Sequence, residues 1–273
     1  MAARTGDSIL DHQILSQPDE LQRLLTDPTV RAQVHAAAEG LHRVRRIWVV
    51  GTGSSQHAAS LGAALFQDAG RSAHSVSSMQ FVRNAPIVGP HDGVLIITHT
   101  AETAYALAAR SLAFQAGLQT VVVTRRGVGM NDVIETVEKE ASETYTVSYT
   151  AALLVLGLLA AEMGADSATR EQWEAVPDAV RRAIADSGTQ AVPVPRRALV
   201  ITGAGPSAIT AHEGALKARE AARVLAEGFD AEYLLHGNAV PLGVDDTSSR
   251  SSRPTKTGSS RCSRAPPKRL ACR

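Results

Sequence analysis

GVLIITHTAET, residues 93–103, decides the fold. Val94 to Ile97 run apolar without a polar break, as a strand buried on both faces of a parallel sheet should. Thr98-His99-Thr100-Ala101 turns the chain, and Glu102-Thr103 opens an amphipathic helix expected to run to about Gly117. Hydroxyls and an imidazole therefore crowd the carboxyl end of a buried strand and the amino end of a helix. Unpaired backbone N–H groups and the helix dipole favour an anion there. Two readings stand side by side: a phosphate-holding loop, or an ordinary strand-to-helix turn with Thr100 as N-cap.

Working outward, Ile47 to Val50 reads as a buried strand between Arg45-Arg46 and Gly51-Thr52-Gly53-Ser54-Ser55, followed by an Ala-rich helix to about Ala69. Further strands are expected at Ala73–Ser77 and Thr120–Thr124. Short helices are expected at Met79–Asn84 and Asn131–Val137, and a long one at Ser148–Met163. This alternation predicts an α/β domain with a doubly wound parallel sheet over residues 45–164. Residues 1–18 are polar and read as irregular. From Asp19 to Val44 apolar residues recur at helical spacing with Pro28 between them, so the 1–44 segment reads as two short helices.

Residues 165–195 read as a connector with a helix near Arg170–Ser187. The opening pattern then returns. Arg196-Arg197 precedes Ala198 to Thr202, which ends in Gly203-Ala204-Gly205-Pro206-Ser207 and another Ala-rich helix. This is an internal repeat, and residues 196–243 read as a second, incomplete copy of the first domain.

From residue 244 a basic tail is expected to be disordered. Residues 247–273 hold six Arg, two Lys and seven Ser with no acid, and Leu270 is the only large apolar residue. Removing that charge of +8 from the chain's +1 leaves the body at −7. Out-of-frame translation of a GC-rich gene accounts for such a tail, and nucleic-acid binding through it is not expected because it lacks aromatics for stacking. Both cysteines, Cys262 and Cys272, lie in it, so the body offers no disulfide, Cys-metal site or Cys nucleophile. The longest apolar piece, Ala151 to Ala161, is too short to span a bilayer, and the amino terminus lacks a signal-peptide core. A cytoplasmic location, without membrane contact, is the expectation.

Both glycine loops invite a dinucleotide reading and neither sustains it. Gln56 stands where the first needs its third glycine. The second nominally fits G-x-G-x-x-A, but Glu220 and Glu227 are misplaced for a ribose-binding acid. The P-loop lysine is absent, and no His or acid spacing suggests a metal; no cofactor is expected. Glu213, Lys217 and Glu220 fall at i, i+4 and i+7 of one helix. They are either a solvated ion-pair stripe or two carboxylates flanking an ammonium as an acid–base set. His236, beside Gly237, is either a turn residue or a proton carrier.

Four segments together resemble the sugar isomerase (SIS) domain family, in particular the tandem isomerase half of glutamine–fructose-6-phosphate aminotransferases and their stand-alone relatives. They are Val50–Ser55, Ile97–Thr103 (similar to S-x-S-G-E-T), Thr146–Thr150, and Glu213–Glu220 (close to E-G-A-L-K-x-x-E) with Tyr233–Gly237 following. The resemblance implies a flavodoxin-like fold. It also implies a sugar-phosphate site formed by Ser54, Ser55, Thr98, His99, Thr100, Thr103, Ser148 and Glu213. Glu220 would move a proton between C1 and C2, Lys217 would assist at the hydroxyl oxygens, and His236 would open the sugar ring. A homodimer is the implied assembly. Ala101 departs from the family's glycine, and Val147-Ser148 from its Lys-Ser or Lys-Ala pair. A glutaminase domain and the terminal Schiff-base lysine have no counterpart. The expected activity is therefore that of a phosphosugar isomerase or aminosugar-phosphate deaminase, the alternative being a non-catalytic sensor or an inactive remnant.

Overall fold

A computed structural model describes residues 8–84, 88–166, 169–186 and 193–251. The chain divides into two compact units, the first ending at Ser187.

The first unit opens with helix α1 (Ile9–Thr26), which begins ten residues before the helix expected from Asp19 and so replaces the irregular segment expected up to Pro18. Ser8 and Asp11 close a reciprocal capping box at its start. Pro18 inside it leaves the Ile14 carbonyl without its backbone donor, and the Gln17 amide supplies one at 3.0 Å. Asp27 ends α1 and caps α2 (Pro28–His42), accepting from the Thr29 N–H at 2.8 Å. Pro28 divides the helices as its fixed φ and missing donor require.

Strands β1 (Arg46–Gly51), β2 (Ala73–Ser77), β3 (Asp92–Ile97), β4 (Gln119–Thr124) and β5 (Val133–Glu135) form one parallel sheet in the order β2-β1-β3-β4-β5. β5 replaces the helix expected over 131–137: Val133-Ile134-Glu135 pairs with Val122 to Thr124 and buries Ile134 completely. Around the sheet lie α3 (Ser54–Asp68), α4 (Ser78–Arg83), α5 (Ala104–Gln115) and α6 (Val147–Glu162). β3 is buried on both faces: Leu95 and Ile97 join a core with α1, α2, α3 and α6, while Val94 and Ile96 face a smaller core with α4 and α5. The expected connector helix is two pieces, α7 (Arg170–Glu174) and α8 (Val176–Ala185), because Pro177 starts a new helix. No described helix is long and apolar enough to cross a membrane.

The second unit contains β6 (Leu199–Gly203), α9 (Pro206–Ala222), β7 (Ala226–Asp230), a short α10 (Ala231–Tyr233) with a kinked turn over Leu234–Asn238, and β8 (Thr247–Arg250). Its sheet is parallel, in the order β7-β6-β8. The tail expected to be disordered from residue 244 thus contains a strand, half-exposed along its length. The rest of that tail, residues 252–273, lies outside the described residues.

The two strand–loop–helix turns have the same backbone. Gly53 and Gly205 adopt φ 58°, ψ −132° and φ 56°, ψ −133°. A Cβ on Gly51 would lie 2.2 Å from the Ser55 carbonyl oxygen, and one on Gly203 2.2 Å from that of Ser207. Only glycine fits where the helix crosses so close to the strand end.

Candidate functional site

The order β2-β1-β3-β4-β5 reverses direction between β1 and β3. In open parallel sheets, the crevice outside the carboxyl ends of the strands at such a point receives ligands. Two loops of the first unit flank it. After β1, Gly51-Thr52-Gly53 leads into α3 with Ser54 and Ser55 in its first turn, and Gly53 supplies no side-chain cap. After β3, Thr98 to Thr103 leads into α5, which starts at Ala104 rather than Glu102. Thr103 occupies the N-cap position without a side-chain capping bond, while the Thr100 hydroxyl accepts from the Glu102 N–H at 3.2 Å. Ala101 stands at φ 55°, so the loop keeps a left-handed backbone despite the alanine.

Buried polar atoms without partners concentrate here. Among the described residues they include Gln56 Oε1 on α3, Thr98 Oγ1 and His99 Nδ1 after β3, and Arg125 Nε after β4. Such atoms are uncommon in folded interiors, and a cluster at a crevice is a place for a ligand to complete. His99 is oriented from its other ring nitrogen: Nε2 accepts the Glu140 backbone N–H at 3.0 Å. The proton therefore sits on Nδ1, which becomes a donor. Burial holds the His99 pKa below its ordinary 6.5, with Arg125 and Lys139 adding to the effect against the opposing pull of Glu140. Tyr145 meets the ring edge-on at 5.4 Å between centroids.

Glu140, which sequence reasoning missed, anchors the far side. Its buried carboxylate accepts the Ser148 N–H at 2.7 Å and the Thr146 N–H at 3.0 Å, satisfying the start of α6. Ser148 is buried beside it. Across the loop, Lys139 pairs with Glu102 at 2.7 Å, which lowers the Glu102 pKa. Sequence offered only a weak signal for Glu140, one acid in a run rich in acids; its role depends on reaching forward to the Ser148 N–H, eight residues on.

In the second unit, α9 brings Glu213, Lys217 and Glu220 together as its periodicity predicts. The Lys217 ammonium lies 3.4 Å from Glu213 and 2.5 Å from Glu220. Glu213 is buried and Lys217 partly so, which sets the group apart from a freely solvated stripe. His236 is exposed in the kinked turn and lines a groove of about 750 Å³ with His212, Glu227, Gly228, Phe229, Asp230, Glu232 and Tyr233. Glu213, Lys217 and Glu220 are not in that lining. Among the described residues, no cluster of three or more His, Cys, Asp or Glu could hold a metal ion.

Residues 40–161 match the SIS domain. Relatives by sequence include the glutamine–fructose-6-phosphate aminotransferase of Pyrococcus horikoshii, 31% identical over 261 residues, covering 87% of this chain and 42% of that protein. The chain spans less than half the length of the aminotransferases it matches. Similar solved structures include tagatose-6-phosphate ketose/aldose isomerase from Escherichia coli, with a TM-score of 0.73 at 19% identity over 90% of this chain and 73% of that one. Glucosamine-6-phosphate deaminase from Thermotoga maritima superposes with a TM-score of 0.69 at 16% identity over 88% and 75%. At those identities the likeness is one of fold.

Proposed function

We propose, taking residues 40–161 as an SIS domain, that this chain binds the phosphate of a sugar phosphate at the carboxyl ends of β1 and β3, and acts on it as an isomerase or deaminase. The observation that carries this reading is the set of unpartnered buried atoms at the sheet's reversal point, Thr98 Oγ1 and His99 Nδ1 foremost. Ser54, Ser55, Thr100 and Thr103 add hydroxyls at the starts of α3 and α5, whose amino ends favour a dianion. Ser148, at the start of α6, takes a further binding role, and in the second unit Glu213 is proposed to bind substrate beside Lys217.

In this reading Glu220 takes the C2 proton of the open-chain aldose and returns it at C1. Lys217 holds the two oxygens as the carbonyl moves from C1 to C2, and His236 shuttles the proton that opens the ring. Lys217 lies between Glu213 at 3.4 Å and Glu220 at 2.5 Å, which fixes its side chain beside the proposed base. The active assembly is a homodimer.

A non-catalytic binding role is the second reading. It is favoured by the polar third strand of the second unit, Thr247-Ser248-Ser249-Arg250, which gives that unit little core. Thermal-shift screening of hexose and hexosamine 6-phosphates, followed by deuterium exchange at C2, separates the readings. Binding with exchange that disappears in Glu220→Gln supports the enzyme. Binding without exchange supports the sensor, and a melting curve that no sugar phosphate moves overturns both.

A further inference from the structure

Several cations of the first unit are committed to carboxylates. Arg23 pairs with Glu20, Arg46 with Asp92, Arg110 with Asp132, Arg126 with Glu138, and Lys139 with Glu102. Arg125 differs. Among the described residues no carboxylate pairs with it, and the only acceptor its guanidinium meets is the Arg126 carbonyl, 3.0 Å from one terminal nitrogen; what sets it apart from other unpaired arginines such as Arg31 and Arg83 is burial. Its Nε is buried and has no partner at all.

The backbone carrying this side chain is fixed at three successive residues. The Arg125 N–H donates to the His99 carbonyl at 3.1 Å, the Arg126 N–H to the Val137 carbonyl at 3.0 Å, and the Gly127 N–H to Glu135 Oε1 at 2.8 Å. Arg125 is thereby tied to the loop after β3, close enough for its charge to act on both the His99 ring and the Glu102 carboxylate. A guanidinium left with an unfilled donor in a crevice is suited to an incoming oxyanion, which its planar fork matches.

We propose that Arg125 is the cation of the anion site, its guanidinium donating to phosphoryl oxygens beside the His99 Nδ1–H and the Thr98 hydroxyl. Its part in the reaction rests on the sugar-phosphate reading, whereas its part in binding phosphate does not. Electrostatics alone places both a sugar 6-phosphate and inorganic phosphate above the unphosphorylated sugar.

Calorimetric titration of the full chain with inorganic phosphate, fructose 6-phosphate and fructose tests this. The variants are Arg125→Gln, Arg125→Lys and, as a matched neighbour, Arg126→Gln. The expected result is a loss of about tenfold or more in affinity for both phosphates in Arg125→Gln, partial recovery in Arg125→Lys, and no change in Arg126→Gln. Circular dichroism melts identify a variant that has failed to fold, in which case the Arg125→Lys comparison decides. Phosphate affinity within twofold of the parent in the folded Arg125 variants overturns the assignment while leaving the sugar-phosphate reading intact. Arg125-dependent binding of inorganic phosphate without binding of any sugar phosphate sinks the reading and keeps the anion site. No binding of either by the parent chain overturns both.

Discussion

The His99 ring accepts the backbone N–H of Glu140 at Nε2, 3.0 Å away, and that one bond decides which face of the imidazole can give a proton to a ligand. The Glu140 side chain in turn receives the first N–H groups of α6. Loop and helix are thus joined through a single residue used at both its backbone and its carboxylate, which orients the donor before any ligand arrives.

Stability should depend on pH through His99. Its folded pKa is depressed by burial, so between that value and the ordinary 6.5 the unfolded chain carries a proton that the folded chain does not. Stability therefore rises with pH across this window, is complete above about 6.5, and is lost as the pH falls through it. Urea midpoints of the parent and His99→Gln, measured from pH 8 down to pH 5, should converge as the pH falls. Parallel curves would dismiss the imidazole as the source.

Glu140→Ala should cost about 2 kcal/mol or more, because it strands buried N–H groups of Thr146 and Ser148 at the start of α6. Glu143→Ala, exposed nearby, should change stability by less than about 0.5 kcal/mol. Denaturant unfolding of both variants compares them directly. Equal effects would mean that Glu140 is no more than another surface acid.

Ala101 carries strain that a glycine would relieve. A left-handed L-residue costs roughly 1–2 kcal/mol, and glycine returns about 0.4–1 kcal/mol of that as unfolded-state entropy. Ala101→Gly should therefore raise stability by up to about 1 kcal/mol, whereas Ala101→Val, branched at Cβ, should lower it. Unfolding curves showing glycine worse than alanine would contradict the φ of 55°.

How far the sequence reveals this arrangement depends on whether the signal is local. Val94 to Ile97 are legible because a strand buried on both faces must be apolar throughout. Glu213, Lys217 and Glu220 are legible because helical spacing brings them together whatever surrounds them. α1 is hidden by Pro18, whose damage Gln17 repairs with a side-chain bond that no periodicity encodes. β5 is three residues long and declares itself only through pairing with β4. Arg125 is conspicuous as a charge at a strand end, but its buried, unpartnered Nε is a fact of three dimensions.

The end of the second unit can be tested at the level of the gene. In the first unit Arg46 at the start of β1 reaches Asp92 at the start of β3, and Asp92 also accepts the Gly89 N–H at 2.9 Å. In the second unit Arg197 reaches Asp246, and Asp246 accepts the Gly243 N–H at 2.7 Å. The correspondence holds through Asp246 and then breaks. Asp92 opens an entirely buried strand, whereas the residues after Asp246 are Thr247-Ser248-Ser249-Arg250, half-exposed. We propose a shift of reading frame immediately after Asp246, which would leave a structural motif intact to its last residue and follow it with a strand of the wrong chemistry. The nucleotides beyond that codon, read in another frame, should then encode an apolar β-branched run ending in a Ser/Thr loop. A chain carrying that segment in place of residues 247–273 should unfold at a higher temperature. An in-frame tail of the present composition, kept across related strains, would refute the shift.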